Sequence, residues 1–348
     1  DEPTSVLAPA QVEQLFRLVR RFAVEGRAVV FITHKLEEVK AVTDRVTVLR
    51  DGRVIGTINT GDASPSQLAH MMVGREVFLD RRARSGTKDK RPVLVAENVS
   101  CLSDRGTPAL RNLNLTVNSG EIVGVAGVDG NGQRELAECI SGLRPLTGGR
   151  ITIDGMVVKD VVRDPSVLGF VPEDRQKTGL ITDFSVAENL VLKTFASPPF
   201  TRRGFIRWSK ILENAASAIK RFRIKVPDAM APARQLSGGN QQKVVLAREL
   251  GHEPSLVVAS QPTRGLDVGA VEGVHELLLK ERARGAAVLF ISTELTEVLA
   301  VSDRVVVLFK GEIMGEIDPE TVTISEIGEM MMGQRQETLT QSSGVRPS

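Results

Sequence analysis

Two glycine-bearing turns hold the residues best placed for chemistry. The first, Gly127-Val128-Asp129-Gly130-Asn131-Gly132-Gln133-Arg134, follows the apolar run 121–126 and leads into Glu135-Leu136-Ala137. Strand, glycine turn and helix start together suit a phosphate, because consecutive backbone N–H groups can point inward and the helix N-terminus adds partial positive charge. The glycine spacing G-x-x-x-x-G is met, but Gln133 stands where a lysine would neutralise phosphate and Arg134 where a hydroxyl would meet magnesium. Taken alone, the turn also fits an ordinary strand–helix connection. The second turn is Leu236-Ser237-Gly238-Gly239-Asn240-Gln241-Gln242-Lys243, running into a helical pattern through Arg248. Ser237 suits an N-cap and the glycines allow a close backbone approach to an anion, although in isolation this is only a capping device.

Both turns need a sheet behind them. A β-rich run, Leu256-Val257-Val258-Ala259, follows the second turn and leads into Pro262-Thr263-Arg264-Gly265-Leu266-Asp267. The wider organisation shows in a repeat. Residues 1–74 align without gaps on 260–333, and about 28 of these 74 positions are identical. Val29-Val30-Phe31-Ile32 matches Val288-Leu289-Phe290-Ile291, and Asp44-Arg45-Val46 matches Asp303-Arg304-Val305. Each copy predicts a helix (10–25 and 269–284), a strand (28–32 and 286–291), a helix (35–42 and 294–301) and a strand (45–49 and 304–308). This alternation predicts α/β layers around a mainly parallel sheet.

Composition narrows the function classes. The 348 residues carry 41% apolar and 25% charged residues with a net charge of +2, so a packed core is affordable and no broad basic field grips nucleic acid or an anionic membrane. Aromatics are 4%, with one Trp and no Tyr, which argues against base-stacking platforms. Cys101 and Cys139 lack metal-ligand spacing and are too few for a disulfide scaffold. No apolar run approaches the length of a membrane span. The chain opens on Asp1-Glu2-Pro3-Thr4 with no targeting segment, which reads as a start inside a domain. The basic stretch from Arg75 to Pro92 reads as a solvated linker. The polar tail 334–348 is expected to be disordered.

Together these motifs resemble the ATP-binding cassette (ABC) ATPases over nearly the whole chain. Leu236–Lys243 is similar to that family's signature motif in the form used by simple-sugar and nucleoside importers. The resemblance implies a P-loop NTPase-type cassette with a mainly parallel sheet, an antiparallel β subdomain and a helical subdomain. It further implies two fused cassettes: residues 1–77 as the C-terminal part of the first, 78–92 as linker, and 93–333 as a complete second one.

The resemblance also assigns roles. Asp1 and Glu2 would end a Walker B strand, with Asp1 in the magnesium shell and Glu2 orienting the attacking water, and His34 would sense the γ-phosphate. Ala8 replaces the usual loop aspartate. In the second copy these positions hold Ser260, Gln261 and Thr293, and Glu173 stands where a glutamine is usual. The second phosphate loop, comprising Gly127, Asp129, Gly130, Asn131, Gly132, Gln133 and Arg134, is therefore expected not to hydrolyse ATP. Arg134 is expected to offer its guanidinium to phosphate without magnesium. Because ABC sites form between cassettes, Ser237, Gly238, Gly239 and Gln241 would face the first cassette's catalytic residues. Cofactors would be ATP and Mg²⁺. Partners would be transmembrane permease subunits and, through them, an extracytoplasmic solute-binding protein, with the chain peripheral at the cytoplasmic face of the plasma (inner) membrane. The wording GVDGNGQ, VPEDRQKTGL and ASQPTRGLDVGA points to nucleoside import. Ribose- and galactose-type sugar import is the alternative, as is a non-catalytic nucleotide-responsive module for residues 1–348 alone. ABC ATPases of DNA repair fit less well, because no long coiled-coil insertion or zinc-binding cysteines are visible.

Overall fold

The computed structural model describes residues 3–4, 7, 9–33, 36–50, 52–64, 67–68, 71, 91–161 and 164–335. The chain divides into two compact units, 1–80 with 266–274 and 81–265 with 275–348. The sequence reading keeps 266–274 inside the second cassette, and this division instead cuts through one continuous helix, Val268–Arg284.

The first unit contains helices α1 (Pro9–Val24) and α2 (Leu36–Val42) and strands β1 (Arg45–Arg50) and β2 (Arg53–Asn59). α2 opens with Glu37 and Glu38 and ends near Lys40, charges that suit the two ends of the helix dipole. β1 and β2 form an antiparallel hairpin with a bulge between Val48 and Leu49, and Gly52 supplies the φ of +73° its turn requires. A small core of Val39, Val48, Ala63 and Leu68 sits beneath. Residues 28–32, expected as a strand, do not form one, and Val30 is 87% exposed. A strand is made by its neighbours, and no described residue of this unit pairs with the segment.

In the second unit the corresponding residues do have strand neighbours. Strands β3 (Pro92–Leu102), β4 (Pro108–Asn118), β6 (Gly148–Ile153) and β7 (Met156–Val157) form an antiparallel sheet in the order β4-β3-β6-β7. The larger sheet adds β5 (Ile122–Ala126), β8 (Leu168–Val171), β11 (Leu256–Ser260), β12 (Ala287–Ile291), β13 (Arg304–Phe309) and β14 (Glu312–Ile317). Its order is β14-β13-β5-β12-β11-β8, parallel throughout except for β14. β9 (Thr201–Arg202) and β10 (Phe205–Ile206) make a short separate hairpin. Every residue of β5, β11 and β12 is buried, as expected of parallel strands covered on both faces, and each buried Val, Leu or Ile contributes roughly 1.5–3 kcal/mol.

The helices of this unit are α3 (Gln133–Ile140), α4 (Val158–Val161), α5 (Val186–Val191), α6 (Trp208–Arg221), α7 (Gly238–Leu250), α8 (Val268–Arg284, shared with the first unit), α9 (Leu295–Val301) and α10 (Ile324–Met331). An ion pair and a carboxylate–backbone hydrogen bond fix the start of β5. Arg304 binds Glu121 at 3.1 Å, and Asp303 accepts the Ile122 N–H at 2.8 Å. Burial pushes the Glu121 carboxyl up, but Arg304 and the Asn118 N–H outweigh it and hold the group below its ordinary value. Of the tail expected to be disordered, Gln334 and Arg335 are held, the latter by Glu312 at 2.6 Å. Residues 336–348 and the linker residues 78–90 lie outside the described residues.

Candidate functional site

Because β5, β8, β11 and β12 run parallel, the segments leaving their C-terminal ends gather along one edge of the sheet. That edge collects the turn 127–132, the segment from Glu173, the residues around Gln261, and Ser292–Glu294. Gln261 adopts a left-handed φ of +47°, an uncommon backbone for a non-glycine residue and one that concentrates at functional sites. Its side-chain oxygen accepts from the Thr293 N–H at 3.3 Å and the Thr293 hydroxyl at 3.4 Å. The two positions matched by the repeat to Glu2 and His34 thus meet, and here both are uncharged. Asp1, Glu2 and His34 themselves lie outside the described residues. Among the described residues, no cluster of three or more His, Cys, Asp or Glu is arranged to hold a metal.

The first glycine turn does form between β5 and α3. Gly130 and Gly132 take φ of +82° and +107°, and Gly132 caps the helix by its backbone alone. A Cβ on Gly132 would sit 2.8 Å from the Ala109 carbonyl, so packing also demands glycine there. The cradle is closed from within. Gln133 is 6% exposed; its side chain accepts the Asn131 N–H at 3.2 Å and donates to the Val128 carbonyl at 3.1 Å. Its amide nitrogen lies 2.5 Å from the point a Cβ on Gly127 would occupy. Asn131 adds a bond to the Val128 carbonyl at 2.8 Å and takes the Lys310 N–H at 2.8 Å. Arg134 is exposed, and its guanidinium pairs with Glu138 at 2.7 Å and Asp104 at 3.5 Å. The Glu138 contact is an i,i+4 helix pair, worth about 0.2–0.5 kcal/mol. Asp129 is exposed beside the loop.

The second turn opens α7 with Ser237 in the N-cap position, but its side chain does not cap the helix backbone. Its hydroxyl instead accepts from Asn240 at 2.9 Å. Gly238 and Gly239 therefore begin the helix without that hydroxyl as partner, which keeps this start suited to an anion. Gln241, expected among the nucleotide contacts, is 2% exposed, and both its amide oxygen and its amide nitrogen are bonded within the protein. It donates to the Ala233 carbonyl at 3.1 Å and accepts from Gln176 at 3.1 Å.

The comparisons with known proteins bear on family and fold. The family model described as "ABC transporter" matches residues 110–264. The guanosine import ATP-binding protein NupO of Bacillus subtilis is 40% identical, over 99% of this chain and 68% of its own length. The chain belongs to the ABC transporter family. The glucose import ATP-binding protein TsgD13 of Haloferax volcanii is 45% identical, over 99% of the chain and 64% of its own. A solved ATP-binding cassette, a post-hydrolysis dimer bound to ADP and Pi, superposes with a TM-score of 0.56 at 28% identity, covering 65% of this chain and 98% of the other. The chain spans about two thirds of the length of the curated relatives it matches.

In cassette terms, the second phosphate loop does not fit a magnesium nucleotide. Its lysine, hydroxyl and acidic positions hold Gln133, Arg134 and Ser260, and an inward N–H is already taken. The sequence singled out Glu173 but not its contacts or the role of Asp174 and Arg175. Glu173 pairs with Arg264, and Arg175 donates to the Arg264 carbonyl at 2.9 Å. Asp174 caps its own turn: the Lys177 N–H and then the Gln176 N–H hold its carboxyl below the ordinary aspartate value. The signal was a dense Glu-Asp-Arg-Gln-Lys run directly after a buried strand. No described helix of this cassette protein is long and apolar enough to cross a membrane.

Proposed function

We propose that this chain is the larger part of the ATP-hydrolysing, energy-coupling subunit of an ABC importer, with nucleosides as its solute class. The observation that carries the reading is an asymmetry within one family fold. The helix start at Ser237 has no side-chain cap, whereas the cassette's own loop is filled by Gln133 and its catalytic positions by the Gln261–Thr293 pair. A cassette built this way serves a partner site rather than its own.

In the competent site, Asp1 would hold the magnesium shell, Glu2 would orient a water and take its proton, and His34 would sense the terminal phosphate. The metal supplies charge stabilisation at the phosphoryl group. Ser237, Gly238 and Gly239 would complete the site from the signature side. Subunits of this kind work with transmembrane permeases and, through them, an extracytoplasmic solute-binding protein, at the cytoplasmic face of the plasma membrane. The Ser260-Gln261-Pro262-Thr263 wording favours nucleosides. The glucose-import relative, at 45% identity, supports sugar import as the second reading.

The test compares residues 1–348 with a chain extended through the upstream coding sequence. The extended protein is expected to hydrolyse ATP with magnesium and to respond, in its transporter, to nucleoside-loaded rather than sugar-loaded binding protein. The 348-residue chain is expected to stay at background. Robust hydrolysis by the shorter chain would contradict this placement of the chemistry. Titration of the shorter chain with ATP, in EDTA or excess Mg²⁺, checks the filled loop: millimolar nucleotide should leave it unbound, and Gln133→Ala should free the Asn131 N–H to exchange with solvent.

A further inference from the structure

The segment leaving β8 is wound into a single wide turn over Arg175–Gly179, with five residues per hydrogen-bonded ring, a geometry found most often at functional positions. Two side chains cross from it to the signature turn. Gln176 reaches Gln241 at 3.1 Å. Arg175 donates through Nη1 to the Arg264 carbonyl at 2.9 Å, while Nη2 lies 2.7 Å from where a Cβ on Gly238 would sit. The next nearest atoms to that point, at 3.4 and 3.7 Å, are Cζ and Nε of the same arginine. Nε itself is buried with no hydrogen-bond partner.

We infer that Arg175 is a positioning residue that ties the Glu173 segment and the Arg264 turn to the signature turn, and that Gly238 is glycine in order to seat this guanidinium. The inference rests on the proposed ATPase reading for its functional half and on geometry alone for its structural half. A guanidinium is planar and rigid, so one face can lie against bare backbone while its edge holds a carbonyl. Any side chain at position 238 removes the seat. Placing a cation at the positive end of α7 is unfavourable unless something fixes it. Here the Arg264 carbonyl does so, and Arg264 is in turn held by Glu173. Glu173, Arg264, Arg175 and Gly238 form one chain of contacts. A displacement at Glu173 would therefore be felt at the signature turn.

The structural half is tested on residues 1–348 by a double-mutant cycle. Gly238→Ala must displace the tip of the Arg175 side chain, so it is expected to leave the midpoint of thermal unfolding a few degrees, on the order of 3 °C, below what the same substitution gives in an Arg175→Ala background. In that background the three nearest neighbours of the added methyl are gone, and the better helix propensity of alanine is what remains. An equal effect in both backgrounds overturns the inference. The functional half is read in the N-terminally extended protein. Arg175→Ala should lower kcat about ten- to a hundred-fold at nearly constant KM for ATP, with Arg175→Lys regaining part of the rate. A raised KM at unchanged kcat would make Arg175 a direct nucleotide contact and end the positioning role. Unchanged rates would end it as well. Absence of ATPase in the extended wild type would sink the proposed function instead, and the thermal cycle would still decide the contact.

Discussion

Residues 9–71 and 268–330 are two readings of one sequence pattern, and the structure lets them be compared residue by residue. Much is the same. α2 and α9 begin and end at corresponding positions, 36–42 and 295–301. The β1–β2 and β13–β14 hairpins share their register, down to a bulge after Val48 in one and Val307 in the other. An edge-to-face ring pair recurs, Phe16–Phe31 at 6.1 Å and His275–Phe290 at 6.0 Å. Thr4 donates to Glu38 as Thr263 does to Glu297. The difference lies in the strand between. Val288–Ile291 is wholly buried with β5 and β11 on its flanks, whereas Val29, Val30 and Ile32 are 42%, 87% and 56% exposed. Asp303 and Arg304 anchor β5, but Asp44 and Arg45 are exposed. Helix limits and hairpin register are local properties that travel with the sequence, while a central parallel strand exists only with its neighbours.

The largest expected difference between the copies is chemical. Glu2→Gln in the extended protein should abolish hydrolysis, a loss on the order of 10²–10⁴-fold or more, since an amide cannot take the water's proton. Gln261→Glu should restore nothing by itself. Gln261 is bonded to Thr293 rather than to a histidine, and the Gln133-filled loop beside it lacks its lysine, so several groups of one site are missing together. Steady-state ATPase on both variants decides the matter, and an active Glu2→Gln protein would break the comparison at its root.

The next difference is one of packing. Leu289→Ala should cost roughly 2–5 kcal/mol, the range for a truncated core aliphatic. Val30→Ala, its counterpart, should stay within about 0.5 kcal/mol in the 348-residue chain. Chemical denaturation followed by far-UV circular dichroism measures both. Similar costs would show that the first segment is packed after all. Carried into the extended chain, the Val30 cost should rise towards that of Leu289 once strand partners are supplied.

These comparisons also show where legibility in the sequence ends. The parallel sheet, the strand–turn–helix at Gly127 and the helix start at Ser237 followed from apolar runs and glycine spacing, because each is specified within a dozen residues. The strand at 28–32 did not follow, since its pattern is right and its partners are not written in it. Gln133 marks a subtler limit. Its type announced that a lysine was missing, but not that the amide would fold inward onto Asn131 and Val128. The acids that pair with Arg134, Glu138 and Asp104, were not legible for a related reason, being a helical turn and thirty residues away. Arg175 and Gly238 are 63 positions apart, so no local pattern could pair them.

The smallest expected effect sits at the one polar exchange inside the repeated ring pair. Phe16 in the first copy becomes His275 in the second, stacked edge-on against Phe290 with its Nε2 buried and no hydrogen-bond partner. The nearest acid, Glu297, is 3.6 Å away and already accepts the Thr263 hydroxyl. A polar atom kept from water without a bond is destabilising, so His275→Phe should be neutral or stabilising by up to about 1 kcal/mol. His275→Ala should lose the ring contact as well and cost about 1–2 kcal/mol through the edge-to-face term and the void it leaves. The order Phe, His, Ala in denaturation midpoint is the expected result, because ring packing is common to both copies and the imidazole nitrogen belongs to only one. If histidine instead ranks first, the Glu297 contact contributes net stability despite its length. Position 275 would then be where the second copy departs from the first in chemistry as well as in burial.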